Sequence, residues 1–264
     1  MWIEKVFNDV DKIKSYDHFL NDNVLLINAD CKEIIPLINN DIIDCCITDP
    51  PYNIADETKY SKKGNNIISN RNNWGYLYQD FWENQDDYWN WLLNITLELK
   101  NKVKYHYVYF LDRAFIGHFN YLIKDYFTIK NLFAFIKTNP VPHFRKNNFR
   151  SSFELSVWFS NNFRKINFIS QNYMKNVFEG PIGNKDKNIE HPNYKYDWMV
   201  EPFVLTLFKN NDIVIDLFMG SGSFIYNTLK INKTIKFIGI EKNKVFFDRA
   251  KVYIQDFLSQ KVLF

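Results

Sequence analysis

Cysteine is scarce in this 264-residue chain: there are three, and Cys45 and Cys46 are adjacent inside one apolar run. That usage gives no disulfide framework and no paired metal motif. The five histidines are scattered without ligand spacing, so no metal site is expected. No apolar stretch is long enough to span a bilayer. The opening Met1-Trp2-Ile3-Glu4-Lys5 mixes charges and leads into no apolar core, which argues against a signal peptide. Internal repeats and a clear interdomain linker are also lacking. Glycine is sparse, at eight residues, so two glycines close together carry information. These absences point to a cytoplasmic chain without a membrane partner, long enough to bury one substantial core. The abundance of Asn, Lys, Ile, Phe and Tyr is the coding bias of an AT-rich genome rather than chemistry.

What is present starts at Asp49-Pro50-Pro51-Tyr52, directly after the run Ile42-Ile43-Asp44-Cys45-Cys46-Ile47-Thr48. The run is too apolar for a half-exposed strand and reads as a buried parallel one. Two prolines fix φ and remove two backbone donors, leaving a stiff turn whose carbonyls are free to accept. A carboxylate, a carbonyl and a ring can then surround one planar amine, such as the exocyclic amino group of a nucleobase. An ordinary strand end would look the same in isolation.

A second signal lies far away. Ile213-Val214-Ile215-Asp216-Leu217-Phe218-Met219-Gly220-Ser221-Gly222-Ser223 is again a strand, an acid and a glycine turn that opens a helix. Glycine permits close backbone approach to a ligand, and the helix start offers free N–H groups. The third glycine of the dinucleotide pattern is missing, with Phe224 following Ser223, so a carboxylate-bearing purine cofactor fits better than a pyrophosphate. Glu241 ends the next apolar strand, 25 positions after Asp216, where nucleotide-binding sheets hold a ribose by its hydroxyls. A solvated turn residue is the plainer reading of Glu241 alone.

Seven strands are predicted, at 24–28, 43–48, 104–110, 130–137, 153–159, 213–217 and 235–240. Helices are predicted at 86–100, 112–125, 198–209, 223–231 and 243–258. The alternation indicates a mostly parallel α/β sheet, with 130–137 and 153–159 as an antiparallel hairpin at one edge. Residues 1–264 read as a single domain with nucleic-acid-contacting insertions at 55–85, 138–152 and 160–190. Charge supports that assignment. Residues 59–71 carry +4, residues 137–150 carry +4 and residues 161–187 carry +3, so the remainder of a +3 chain carries −8. Basic charge with interleaved Asn, Phe and Tyr suits a phosphate-contacting surface, with solubility as the plainer explanation. Lys62, Lys63, Arg71, Lys137, Asn139, Arg145, Lys146 and Arg150 are the candidate DNA contacts.

Together these motifs resemble the β-class DNA amino-methyltransferases, in which the acceptor tetrad precedes the cofactor motif. Val24-Leu25-Leu26-Ile27-Asn28-Ala29-Asp30-Cys31 resembles the family's opening strand. Phe135-Ile136-Lys137-Thr138-Asn139-Pro140-Val141-Pro142 and Ser152-Phe153-Glu154-Leu155-Ser156-Val157-Trp158 resemble the segments flanking the target base. His191-Pro192-Asn193-Tyr194-Lys195 and Phe237-Ile238-Gly239-Ile240-Glu241 resemble two further elements. The chain departs from the family at Leu217, where Pro is usual, at Tyr194-Lys195-Tyr196, where Gln-Lys-Pro is usual, and at Ser223, where Thr is usual. A Pro-Gly-Gly turn near 101–104 is missing.

The resemblance implies a seven-stranded, circularly permuted Rossmann-like sheet that transfers a methyl group from S-adenosylmethionine to N6 of adenine in double-stranded DNA. Asp49 and the Pro50 carbonyl would hold the amine, Pro51 would stiffen the turn, and Tyr52 would stack on a base flipped out of the duplex. Asp216, Phe218, Gly220, Ser221 and Gly222 would line the cofactor beside Asp49. Glu241 would take its ribose, Asp30 its adenine edge and Lys195 its carboxylate; Asp30 also reads as a plain helix N-cap. A prokaryotic or phage origin, a homodimer and a cognate restriction endonuclease are compatible with the family. Three alternatives stay open: N4-cytosine methylation, methylation of RNA or of a protein glutamine, and a catalytically inactive nucleic-acid-binding partner.

Overall fold

The computed structural model describes residues 1–52, 82, 84–141, 149–183 and 194–259, together with the backbone of 62–63 and 66–67. In chain order, α1 (Ile3–Val6) and α2 (Val10–Ser15) precede β1 (His18–Leu20) and β2 (Val24–Asn28). Then come α3 (Cys31–Ile34), β3 (Ile43–Thr48), the short pair β4 (Lys62–Lys63) and β5 (Asn66–Ile67), and α4 (Gln85–Leu99). The middle of the chain forms β6 (Val103–Leu111), α5 (Ile116–Ile123), β7 (Thr128–Lys137), β8 (Phe153–Ser160) and β9 (Val177–Gly180). The last stretch forms α6 (Asp197–Thr206), β10 (Ile213–Asp216), α7 (Ser223–Ile231), β11 (Lys236–Glu241) and α8 (Lys244–Ser259). Among the described residues, no helix is long and apolar enough to cross a membrane.

The main sheet runs β1-β2-β11-β10-β3-β6-β8-β7-β9. Its five central strands, β2, β11, β10, β3 and β6, are mutually parallel. Such strands must be covered on both faces, and alternate side chains divide accordingly. Leu25, Ile27, Cys46, Ile215 and Ile238 point into the layer made by α1 to α5. Val24, Leu26, Cys45, Ile47, Val214 and Phe237 point into the layer made by α6, α7 and α8. Every residue of β3 is buried, including Asp44, which pairs with Lys104 at 2.6 Å and accepts from the Ile213 amide at 2.8 Å.

All seven predicted strands form, but among the described residues the sheet has nine. β1 pairs antiparallel with β2, and β9 pairs parallel with β7. Both extra strands are short edge strands without alternation, at three and four residues, so periodicity does not reveal them. The antiparallel hairpin of β7 and β8 exists, yet it is not the sheet edge, because β9 lies outside it.

Part of the 160–190 stretch is likewise built into the fold. Asn167 Nδ2 donates to the Leu205 and Phe208 carbonyls at 3.2 and 3.3 Å. The Arg164 side chain is largely buried against Asp212, with a 2.7 Å ion pair, so its charge does not belong to an exposed basic face.

Candidate active site

Parallel strands deliver their carboxyl ends to one edge, and antiparallel β8 delivers its amino end there. That edge gathers Asp49 after β3, Asp216 at the end of β10, Glu241 at the end of β11, Asp30 after β2, Lys137 at the end of β7 and Glu154 near the start of β8. The decisive adjacency is β10 with β3, paired through Val214–Cys45 and Ile215–Cys46. From β10 the chain continues to β11 on one side, and from β3 to β6 on the other. The strand order therefore reverses between the Asp216 turn and the Asp49 turn, where open α/β sheets bind ligands.

The two turns are tied together. Thr48 donates its hydroxyl to Asp216 Oδ1 at 2.6 Å, and the Phe218 amide donates to the same oxygen at 3.1 Å. Asp216 is fully buried, and its Oδ2 has no hydrogen-bond partner among the described residues. Burial pushes its pKa up to about 8 against those two hydrogen bonds.

The glycine turn itself is held by Glu241. Gly220 N–H donates to Oε2 at 2.9 Å and Asn243 N–H to Oε1 at 2.7 Å. Gly220 and Gly222 have φ of +51° and +76°, a left-handed backbone that favours glycine. Ser221 Oγ is buried and also lacks a partner among the described residues. Phe218 packs on Trp91 of α4, with ring centroids 5.6 Å apart.

At the acceptor turn, Pro50 is buried while Pro51 and Tyr52 are half-buried. Tyr52 donates its hydroxyl to Asp49 Oδ1. Lys195 Nζ lies 2.5 Å from Asp49 Oδ2 and 3.2 Å from Glu154 Oε2. Lys137 holds the other Glu154 oxygen at 2.9 Å. Burial pushes the Asp49 carboxyl up, opposed by the Lys195 ammonium and the Tyr52 hydroxyl. For Lys195 burial acts against the charge, but Asp49 and Glu154 outweigh it and keep the amine protonated. Glu154 also resists desolvation, because Lys195 and Lys137 hold its pKa below the usual carboxylate range.

Comparison with known proteins bears directly on this arrangement. The family model described as DNA methylase, for N6 and N4 methyltransferases, matches residues 43–252, from β3 into α8. The chain belongs to that family. A relative in Lactococcus lactis subsp. cremoris, the Type II methyltransferase M2.LlaDCHI, is 25% identical over 252 residues, covering 89% of this chain and 90% of its own. Among solved structures, the M1.HpyAVI–SAM complex superposes with TM-score 0.60 at 23% identity, covering 87% of this chain and 99% of that one. The PvuII DNA methyltransferase, cytosine-N4-specific, superposes with TM-score 0.70 at 15% identity, covering 92% and 89%. These two likenesses concern the fold.

Within the methylase edge, the expected residues do not all sit as expected. The resemblance puts Lys195 at a cofactor carboxylate; the structure places its ammonium on Asp49 and Glu154. Asp30 caps α3 through the Lys32 amide at 3.0 Å and pairs with Lys242 at 3.3 Å, which is the plain N-cap reading. Lys137, expected at phosphate, is largely buried on Glu154. Asn139 clamps the Ile182 backbone through two hydrogen bonds of 2.6 and 2.7 Å, so both its amide ends are engaged within the fold. Arg150 is exposed. Of Lys62 and Lys63 only the backbone is described, and Arg71, Arg145 and Lys146 lie outside the described residues.

Sequence reasoning missed Thr48, Glu154, Ser223 and Asn227 as site residues. Ser223 and Asn227, one turn apart on α7, hold the Lys195 backbone: the Lys195 amide donates to Ser223 Oγ at 3.3 Å and Asn227 donates to the Lys195 carbonyl at 3.0 Å. Glu154 did leave a signal, a lone charge at the head of an otherwise apolar strand.

Proposed function

We propose that this methylase transfers a methyl group to the N6 amine of adenine in double-stranded DNA, with the target base rotated out of the helix into the Asp49 turn. The observation that carries the reading is the side-by-side placement of a largely buried, ion-paired Asp49 and the Asp216 glycine turn at the strand-order reversal. The glycine turn fits a purine cofactor bearing a carboxylate. Asp216 Oδ2 and Ser221 Oγ are buried and unpartnered among the described residues, two glycines hold left-handed backbone, and Glu241 sits at the neighbouring strand tip. Asp216, Phe218, Ser221, the glycine backbone and Glu241 would hold S-adenosylmethionine, with Asp30 further along the same edge. When bound, that cofactor supplies a methyl group activated by its sulfonium.

The chain's own residues have to prepare the amine, whose lone pair is delocalised into the ring. The Asp49 carboxylate and the Pro50 carbonyl accept its N–H groups, favouring a pyramidal nitrogen and stabilising the positive charge that develops on it. Lys195 keeps Asp49 ionised in a largely buried setting that would otherwise neutralise it. The Tyr52 hydroxyl occupies Asp49 Oδ1, the acceptor position the amine would use, so an arriving base must share or displace it. Its ring would stack on that base. Fixing both reactants in one crevice can supply up to ~7–11 kcal/mol of the acceleration.

N4-cytosine methylation is the second reading, favoured by the likeness to the cytosine-N4-specific PvuII enzyme. Adenine is preferred because Asp before Pro-Pro-Tyr leans that way in the resemblance. The relatives are named Type II methyltransferases, which supports a Type II setting; a cytoplasmic location, a cognate endonuclease and a homodimer are part of the proposal and compatible with it.

Incubation with genomic DNA and labelled S-adenosylmethionine, followed by digestion to nucleosides, tests the proposal. N6-methyladenine should carry the label. Asp49→Asn should lower kcat by roughly 10²–10³, the effect of removing one preorganised electrostatic contact. Label in cytosine would replace the first reading by the second, and near-normal turnover of Asp49→Asn would sink the acceptor site.

A further inference from the structure

Glu154 and Lys137 have no part in the reaction as set out above, yet they complete a row of alternating charge. The row runs Asp49, Lys195, Glu154, Lys137, with contacts of 2.5, 3.2 and 2.9 Å. We infer that Glu154 is a positioning residue of the acceptor site that acts through Lys195: it competes with Asp49 for one buried ammonium and so sets how strongly Asp49 can draw on the target amine. The inference rests on the reading of Asp49 as the amine's acceptor.

Lys195 cannot relieve the competition by moving away. Its side chain is 3% exposed, and its backbone is fixed on α7 by Ser223 and Asn227. The ring of Phe110 lies 5.4 Å from Nζ and offers no hydrogen-bond acceptor lone pair. Two carboxylates therefore divide one cation. If Lys195 served Asp49 alone, the ammonium would saturate Asp49 and leave it a poor acceptor for an N–H group. If Lys195 served neither, burial would protonate Asp49. Division lies between these limits, and Lys137 tunes it by holding the far oxygen of Glu154. The register places these partners together, since Phe135 opposes Glu154 and Ile136 opposes Phe153 at the same tip of the β7–β8 hairpin.

Asp49 faces Lys195, Glu154 and the Tyr52 hydroxyl, and its charge is also felt by Tyr88 of α4 and by Asp216. Asp112, after β6, acts on Tyr52 and Tyr88. Among the described residues, only Glu154 and Lys137 reach Asp49 through the shared ammonium, so changing them should move its titration in opposite directions. Removing the charge of Glu154 leaves Lys195 to Asp49 and lowers the pKa of Asp49. Removing Lys137 frees Glu154 to take more of Lys195 and raises it.

The experiment is the single-turnover methylation rate of the full chain from pH 4.5 to 9, at saturating S-adenosylmethionine and DNA, for the parent, Glu154→Gln and Lys137→Met. The acid limb should move about one pH unit down in Glu154→Gln and up in Lys137→Met, the size expected for one nearby charge. The plateau of Glu154→Gln should fall several-fold, with the KM for DNA unchanged. Thermal melting checks that both variants fold, and Lys137→Met keeps the test alive should Glu154→Gln fail to. A purely structural role would lower the active fraction at every pH and leave the limb in place. Fixed limbs, limbs moving in the same direction, or a rate flat across the range would each overturn the inference while the parent still methylates DNA. A parent that methylates no DNA base overturns the reading of the site and the inference with it.

Discussion

Replacing Asp216 by Asn should shift the stability of the unliganded protein, relative to the parent, more and more in the variant's favour as pH climbs from 5 to 8. Asp216 is fully buried, and its pKa is pushed up to about 8. In the unfolded chain an aspartate titrates near ~3.9. Between those values the folded state keeps a proton that the unfolded state has released, so stability falls as pH rises through the window. The whole penalty is present above about pH 8 and absent below about pH 4. Each unit costs about 1.4 kcal/mol, or roughly 4 kcal/mol between pH 5 and pH 8. The substituted asparagine does not titrate, and its carbonyl can still accept from Thr48 and Phe218. Its NH2 takes the place of the unpartnered Oδ2, at a cost of about 1–3 kcal/mol that is the same at every pH. The gap between variant and parent should thus widen by roughly 4 kcal/mol. At ~2–4 °C per kcal/mol for a chain of this size, that is on the order of 10 °C in Tm. Melting both proteins in overlapping buffers from pH 5 to 9.5 measures the gap directly. A gap that stays constant across that range would refute the neutral, buried Asp216. Titration of the parent with S-adenosylmethionine near pH 7, in buffers of different ionisation enthalpy, should show proton release, because a cationic ligand favours the ionised carboxylate. Asp216→Asn should bind more weakly and release none.

Gly222→Ala should cost about 1–2 kcal/mol in denaturant unfolding, since the residue sits at φ +76°. Its new Cβ would meet Ile254 and Ala250 at 3.4 and 3.5 Å, ordinary packing distances, so backbone strain should dominate; an unchanged midpoint and slope would show that the turn relaxes freely. Changing Arg145, Lys146 and Arg150 to Gln should weaken binding to specific and random duplexes alike. The slope of log affinity against log salt should become shallower by about 0.9 for each phosphate no longer neutralised. Loss of target preference with unchanged binding to random DNA would instead make these residues readers of base edges.

The parts of the methylase that were legible in the sequence are those written in local pattern. A mostly apolar run ending in Asp49, and another ending in Asp216 and two glycines, announce buried strands with turns at their carboxyl ends wherever they fall in the chain. The partners that complete the site were not legible, because they come from adjacency. Thr48 matters only because β3 lies beside β10. Lys195 reaches Asp49 with its backbone held by Ser223 and Asn227 of α7, residues that lie about thirty positions further along the chain. The strands β1 and β9 are too short to show a period, and the basic count around Arg164 could not foresee that Asp212 takes that charge inward.

The carboxylates at this edge share a location but not a chemistry, and their surroundings decide which can serve the acceptor. Asp216, sealed from water, is driven toward the neutral form. Glu241 is engaged by the Gly220 and Asn243 amides and braces the glycine turn. Asp30 caps a helix beside Lys242. Glu154 stays ionised but is held between two lysines. Of these described carboxylates, Asp49 alone combines an adjacent ammonium that opposes the effect of burial with a side chain that is 11% exposed and flanked by a proline turn. A group that must receive an N–H and balance a developing positive charge needs both properties together. The Asp216 and Asp49 turns are joined twice, by Thr48 on Asp216 and by Lys195, held on α7, on Asp49, and neither link is visible without the fold.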